Sequence, residues 1–223
     1  MSLIVEIRAA EGGDDAKLLV EEQLAIYVRL CTRNSIEVEV TEQRSGFCVF
    51  RASGKGVEKL FQNESGGHRW QRVPPNEKKG RVHTSTITVA VLSEPEKTQV
   101  VLREEDLEES ACRGSGAGGQ HRNVTASAVQ LKHKPSGIMV RCESERSQAQ
   151  NRSTARAILR AKLWELRNTQ QSEDRSKNRK DQVGSGMRGD KRRTIRTQDD
   201  QVTDHLTGRV WRYKDYHRGI WNS

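Results

Sequence analysis

The stretch Arg113-Gly114-Ser115-Gly116-Ala117-Gly118-Gly119-Gln120-His121 is the one whose residue types point most directly to chemistry. Glycines permit positive φ and let the main chain approach another surface with no Cβ in the way. Gln120 is neither an acid nor a base at neutral pH, but it offers a backbone N–H, a side-chain donor and a carbonyl acceptor. Such a tip suits positioning a water and stabilising charge in an active site supplied mostly by another molecule. A dinucleotide-binding loop would need a buried strand immediately before it, and residues 104–110 are mostly acidic. A flexible linker is the plain alternative. No Ser/His/Asp set, carboxylate pair or metal-ligand spacing stands out to make the chain a self-sufficient enzyme.

The elements that must carry this loop can be read from periodicity. Leu3–Ile7 is a β-rich run, and Ala16, Val20, Leu24, Tyr27 and Cys31 then recur at helical spacing, with Asp14 and Asp15 placed to cap the helix. Strands are expected over about 36–42, 46–52 and 81–92, with a short helix near 57–62 and a polar stretch from Glu64 to Gly80. Residues 93–110 read as an acidic connector. A second unit follows, with a short helix near 123–127 and strands near 128–134 and 138–143 joined by Lys134-Pro135-Ser136-Gly137. A long helix starts near Gln148 with an apolar stripe of Ala155, Leu159, Leu163 and Leu166, and Gly184–Gly189 ends it. The expected class is α+β: a sandwich-like sheet domain over 1–108, its sheet completed by about 202–223; a smaller βαββα unit over 109–183 with the long C-terminal helix; and a basic linker over 184–201.

The chain has 223 residues, enough for two modest domains, and is 33% hydrophobic and 31% charged, so its cores are small. Its net charge is +9, and nine Lys/Arg against two Asp fall between Arg175 and Arg196, a distribution suited to tracking phosphates. Cys31, Cys48, Cys112 and Cys142 show no paired spacing and read as free thiols of a reducing compartment. No apolar run approaches membrane-spanning length and no leader-like segment precedes the first strand. The reading is a soluble protein without a membrane partner that acts where it is made.

Arg113 to His121 with Asn123, followed by Glu145-Arg146-Ser147-Gln148, resembles the catalytic domain of class-I peptide chain release factors of bacteria and organelles. Glu64-Ser65-Gly66-Gly67-His68-Arg69-Trp70-Gln71-Arg72-Val73-Pro74 and Gly80-Arg81-Val82-His83-Thr84-Ser85 resemble the codon-reading domain of the type that decodes UAA and UAG, and Val202-Thr203-Asp204-His205 resembles the return from the catalytic domain. The motifs stand in family order over about residues 3–217. The resemblance implies translation termination: entry to the ribosomal A site and hydrolysis of P-site peptidyl-tRNA in response to a stop codon. Gly118, Gly119 and Gln120 would be the catalytic tip. Gln120 would be a site of N5-methylation by a glutamine methyltransferase, and the rRNA of both subunits and the tRNA would supply the rest of the site.

On the same resemblance, codon contacts fall to Gly12, Asp15, Gln71, Pro74, Pro75, Asn76, His83, Thr84 and Ser85. Physically, His83 can stack on unstacked mRNA bases. Gln71 and Thr84 can donate or accept at a third base that is A or G, and Gly12 and Asp15 can approach the first base from a helix N-terminus. Contacts with rRNA fall to Arg113, His121, Arg146, Arg188, Lys191, Arg192 and Arg193. No metal or small-molecule cofactor is implied. A monomer in the cytoplasm, an organelle matrix or a phage-infected bacterial cytoplasm is expected.

Three departures accompany the resemblance. The family's Pro-x-Thr tripeptide is Pro74-Pro75-Asn76 here; Asn can accept from the N6 amine of adenine and can also donate, which would tolerate G. Asp15 stands where the family usually has Glu. The resemblance is also to a short form that lacks the family's N-terminal helical domain. Two alternatives remain at this level: a codon-independent ribosome-rescue factor, and a non-catalytic ribosome-binding regulator.

Overall fold

A computed structural model describes residues 1–94, 101–113 and 125–221. The chain forms two compact units, one of residues 1–95 with 175–223 and one of residues 96–174.

The first unit is built on an eight-stranded sheet. Its strands are β1 (Ser2–Ala9), β2 (Glu37–Arg44), β3 (Phe47–Ser53), β4 (Gly66–Arg72), β5 (His83–Ser93), β9 (Arg193–Arg196), β10 (Gln201–Asp204) and β11 (Val210–Arg212), in the order β11-β10-β9-β4-β5-β1-β3-β2. Pairing is antiparallel except between β4 and β9, which run parallel. A parallel pair needs a crossover, and here the crossover contains the whole second unit. The first unit's sheet is therefore discontinuous in sequence.

Helix α1 (Gly13–Arg33) lies against β1, β3 and β5, burying Ala16, Leu19, Val20, Leu24, Ile26, Tyr27 and Leu30. Leu3, Val5 and Ile7 of β1, Phe50 of β3, and Phe61 of the short helix α2 (Val57–Phe61) complete that core with Trp70, Tyr216 and Trp221. Asp14 and Asp15 do not cap α1: Gly12 holds the N-cap position with φ +133°, and no side chain caps the helix. The two carboxylates sit in the first turn, where they favour the helix dipole.

The polar stretch from Glu64 to Gly80 contains an unexpected central strand, β4. Gly66, Gly67, His68, Trp70 and Arg72 are buried there. A Cβ on Gly67 would meet the Asp190 carbonyl oxygen at 2.5 Å, and the Arg192 N–H donates to Gly67 O at 2.8 Å. The glycine is what lets the 190–192 segment lie on the strand.

Beneath this crossing lies a buried polar network. Glu64 accepts from Arg193 through both guanidinium nitrogens (2.6 and 2.9 Å), from Tyr27 Oη at 3.0 Å and from Trp221 Nε1 at 3.1 Å. Arg193 also reaches Asp204 at 3.3 Å. Desolvation opposes charge on Glu64, yet the adjoining Arg193 holds its carboxyl below the usual range. The His68 imidazole donates to the Glu64 carbonyl oxygen, and burial beside Arg193 brings its pKa down to about 4.

The second unit has an antiparallel sheet of β6 (Leu107–Cys112), β7 (Ala128–His133) and β8 (Met139–Cys142), in that order, after a 3-10 turn at Glu104–Asp106. Strand β6 lies within the stretch read as a connector and crosses the expected 108/109 boundary. Its charges are those of a guarded edge: Glu108 faces solvent, and Glu109 pairs with Arg152 and Arg156. Leu131, Val140 and Cys142 pack on Ala155, Leu159 and Leu163 of the long helix α3 (Gln148–Val183). Leu166, expected to extend that stripe, is 39% exposed. Of the helix expected over 123–127, residues 125–127 are not helical, and 123 and 124 lie outside the described residues.

The last turns of α3 belong to the first unit. There Arg179 pairs with Glu6, and the Gln182 amide exchanges two 2.8 Å hydrogen bonds with the backbone of Val91, as a neighbouring strand would. The segment 184–201, read as a linker, contains the buried strand β9. The chain then continues through β10 and β11 to α4 (Tyr213–His217).

Candidate functional site

Three chain segments bring most of the proposed codon-reading residues together in the first unit: the N-terminus of α1, the end of β4 with the loop after it, and the start of β5. Gln71 faces Thr84 across the β4–β5 pair, Trp70 faces Ser85, and Arg72 faces His83. The loop before α1 is clamped to the same strand by Thr86 N–H to Glu11 O (2.6 Å) and Ala10 N–H to Thr86 O (3.0 Å). A Cβ on Gly12 would lie 2.5 Å from Ser85 Oγ, so close packing there requires glycine as much as the positive φ does. Ser85 is 1% exposed, which makes it the floor on which Gly12 rests.

Asp15 is not presented to solvent. It is 4% exposed, and its Oδ1 accepts from Arg72 Nε at 3.0 Å and from a terminal guanidinium nitrogen at 2.7 Å. The other arm of Arg72 pairs with Glu22. In this arrangement the helix N-terminus approaches the surface through backbone, and the Asp15 carboxylate acts from behind it. Gln71 accepts from Arg196 Nε through Oε1 at 3.0 Å, which orients the amide and leaves its NH₂ group as a donor. Arg196 is held in turn by Gln201 at 3.1 Å. Sequence reasoning did not single out Arg72 or Arg196 as site residues. The signal available was an unpaired charge in a strand beside Gln71, and Arg196 sits 125 residues away.

Pro74-Pro75-Asn76 begins a tight turn closed by Glu77 N–H to Pro74 O at 3.0 Å, with Pro74 buried and Pro75 and Asn76 exposed. Pro75 occupies the second turn position, which its fixed φ suits. The Glu77 carboxylate accepts from Lys79 N–H (2.7 Å), from Arg81 (3.0 and 3.2 Å) and from His83 Nε2 (2.7 Å). The Lys79 amide, followed by Arg81 and His83, holds its pKa down at about 2. His83 and Thr84 stand at the mouth of this loop, with the His83 side chain 43% exposed.

Gly118, Gly119, Gln120 and His121 lie outside the described residues, which resume at Thr125. The frame around that segment is defined. Cys112 pairs with Ala128 at one end of the β6–β7 ladder, so the chain between them leaves and returns at one end of the sheet. Arg141 donates to the Arg113 carbonyl at 3.1 Å on one side. On the other, fully buried Asn151 of α3 donates to Ser127 O (2.8 Å) and Glu145 O (2.9 Å) and accepts from Glu145 N–H (3.0 Å). Asn151 was also missed, because a lone polar residue in an apolar helical stripe reads as an interruption. Arg146, between these anchors, is exposed.

The cations of the late basic stretch divide sharply. Arg193 is 1% exposed and bound to Glu64, so the expectation that it contacts RNA is corrected: its guanidinium is a core group. Arg192 has 13% of its side chain exposed and pairs with Asp204 at 3.3 Å. Arg188 is half exposed and pairs with Glu11 at 3.2 Å. Lys177, Lys180 and Lys191 have no ion-pair partner among the described residues. All four cysteines are free, and burial pushes the Cys31 and Cys48 thiols up to about 12 and about 11. Among the described residues no cluster of His, Cys, Asp and Glu could hold a metal ion, and no helix is long and apolar enough to cross a membrane.

Two family models match the chain in succession, the PCRF domain over residues 1–89 and the RF-1 domain over residues 96–206. The chain belongs to the class-I peptide chain release factors. Peptide chain release factor 1 of Caldicellulosiruptor saccharolyticus is 46% identical over 213 residues, covering 93% of this chain and 60% of that protein. Peptide chain release factor 1 of Malacoplasma penetrans is 45% identical over 209 residues, covering 92% and 58%. Among solved structures, RF2 of Thermus thermophilus matches with a TM-score of 0.54 at 33% identity, over 98% of this chain and 64% of that one. The chain thus spans about 60% of the length of the curated relatives it matches.

Proposed function

We propose that this chain terminates translation. It binds the ribosomal A site, reads UAA or UAG with its first unit, and triggers hydrolysis of P-site peptidyl-tRNA with Gly118-Gly119-Gln120. The observation that carries the reading is the gathering of Gly12, Gln71, Pro74–Asn76, His83 and Thr84 from three separate chain segments around one loop mouth, an arrangement the core alone does not require. His83 stacks on an unstacked mRNA base. Gln71 and Thr84, opposite each other in the ladder, address the third base, and a Gln amide that can donate with a hydroxyl that can do either accommodates A or G. Asn76, exposed in its turn, addresses the second base by accepting from adenine N6.

The rRNA supplies the counter-surface for Arg113, His121, Arg146, Arg188 and Lys191. Arg192, mostly covered by its pairing with Asp204, contributes at most an edge. The Gln120 side chain is the substrate of a glutamine N5-methyltransferase, and its backbone N–H stabilises the developing charge. The chain works as a monomer in the cytoplasm or an equivalent translating compartment.

The test is peptide release from purified ribosomes carrying UAA, UAG, UGA or a sense codon in the A site. Release at UAA and UAG well above UGA and sense supports the reading. Equal release at all four removes the codon-reading role, and no release at any of them removes the function.

A further inference from the structure

Glu77 is unusual for its setting. It stands in an exposed loop whose neighbours Pro75, Asn76, Lys78, Lys79, Arg81 and Val82 are all open to solvent, yet its own side chain is only 5% exposed. It is covered by its donors. One oxygen takes the Lys79 N–H and the other takes both the Arg81 fork and the His83 ring, while the Glu77 N–H closes the Pro74–Glu77 turn. A single residue therefore ties the exposed Pro75-Asn76 tip to the imidazole at the start of β5.

We infer that Glu77 is a positioning residue for codon reading. By accepting from His83 Nε2–H it fixes the ring's tautomer and plane and makes the 74–76 turn and the ring move as one body. The inference rests on the reading of His83 as a base-stacking group, and it adds that the stack is pre-organised before the codon arrives. A carboxylate is the fitting choice, because it is acceptor-only and four donors converge on it. With Nε2 committed to Glu77, Nδ1 is left as the acceptor on the neutral ring. The low pKa of Glu77 keeps that acceptor charged through the whole physiological range.

The experiment measures release on UAA-programmed ribosomes as a function of factor concentration for four proteins: the wild-type chain, Glu77→Gln, His83→Ala and the double variant. Glu77→Gln keeps side-chain length and one acceptor oxygen. It is expected to raise the half-saturating concentration about tenfold, as loss of a charge-assisted hydrogen bond does. The rate at saturation should be unchanged, which also shows that the variant is folded. In the His83→Ala background the same substitution is expected to change the half-saturating concentration by less than about twofold, because the group it acts through is gone.

A merely structural Glu77 would weaken both backgrounds equally, and that outcome overturns the inference, as does an unaltered Glu77→Gln. A wild-type chain that does not respond to UAA, or a His83→Ala variant with wild-type behaviour, instead overturns the codon-reading role on which the inference rests.

Discussion

Gly12 and Ser85 illustrate how the site is set by contacts between single residues. Gly12→Ala would place a Cβ 2.5 Å from Ser85 Oγ and 2.8 Å from its Cα, at a φ of +133° that L side chains rarely adopt. The expected cost is about 1–3 kcal/mol in folding free energy, with loss of codon discrimination as the α1 N-terminus lifts from β5. Gly13→Ala makes the control, since its Cβ would meet nothing within 4 Å. Equal losses in denaturant unfolding for the two variants would show that the Ser85 contact is not the cause. His68 gives a pH signature. Its folded pKa of about 4 lies below the ordinary 6.5, so between those values the unfolded chain takes up a proton that the folded chain does not. Stability therefore falls as pH is lowered through that window, by roughly 3 kcal/mol in all. Urea unfolding at stepped pH should show this slope, and His68→Gln should flatten it. The carboxylates of Glu64 and Asp204, held below their ordinary range, add their own loss only at lower pH.

At the scale of elements, the second unit depends on how Asn151 of α3 holds Ser127 and the turn at Glu145. Asn151→Ala would strip partners from Ser127 O, Glu145 O and Glu145 N–H at once. A loss of roughly 1–3 kcal/mol per group left unpaired is expected. Amide exchange should accelerate first near residues 125–127 and 145, and a variant whose exchange rises uniformly would contradict the local role. The same scale shows what the sequence revealed and what it hid. Helix α1, β1, β3, β5, β7 and β8 carry clean apolar periods and are legible. Strand β4 is not, because two glycines, His68 and Arg72 take positions where apolar residues would announce a strand; the glycines are covered by the distant Arg192 and Asp190, Arg72 is held by the distant Asp15 and Glu22, and His68 turns back to the nearby Glu64 carbonyl. Strand β6 is hidden for the opposite reason, since an edge strand keeps its charges outward. The residues proposed to read the codon were named from motif order alone. Their supports Arg72, Glu77 and Arg196 were not, because they act through hydrogen bonds that only the folded sheet creates.

At the scale of the whole molecule, the first unit's sheet closes only after the second unit has been passed, through the parallel β4–β9 pair and the Arg193–Glu64 contact beneath it. This explains why the late basic stretch is not simply a phosphate-binding tail. Arg179, Arg188, Arg192, Arg193 and Arg196 all have intramolecular partners, whereas the exposed Lys177 and Lys180 have no ion-pair partner among the described residues. The central claim is that one chain couples a codon read in the first unit to hydrolysis by Gly118-Gly119-Gln120. The most direct test is the rate of peptide release at saturating factor on ribosomes with UAA in the A site and with the A site empty, for the wild-type chain and for Gly119→Ala. The account predicts fast release by the wild-type chain on UAA alone, and loss of release by about 100-fold or more in Gly119→Ala, with ribosome binding retained. Release that is as fast with an empty A site, or that survives Gly119→Ala, would contradict it.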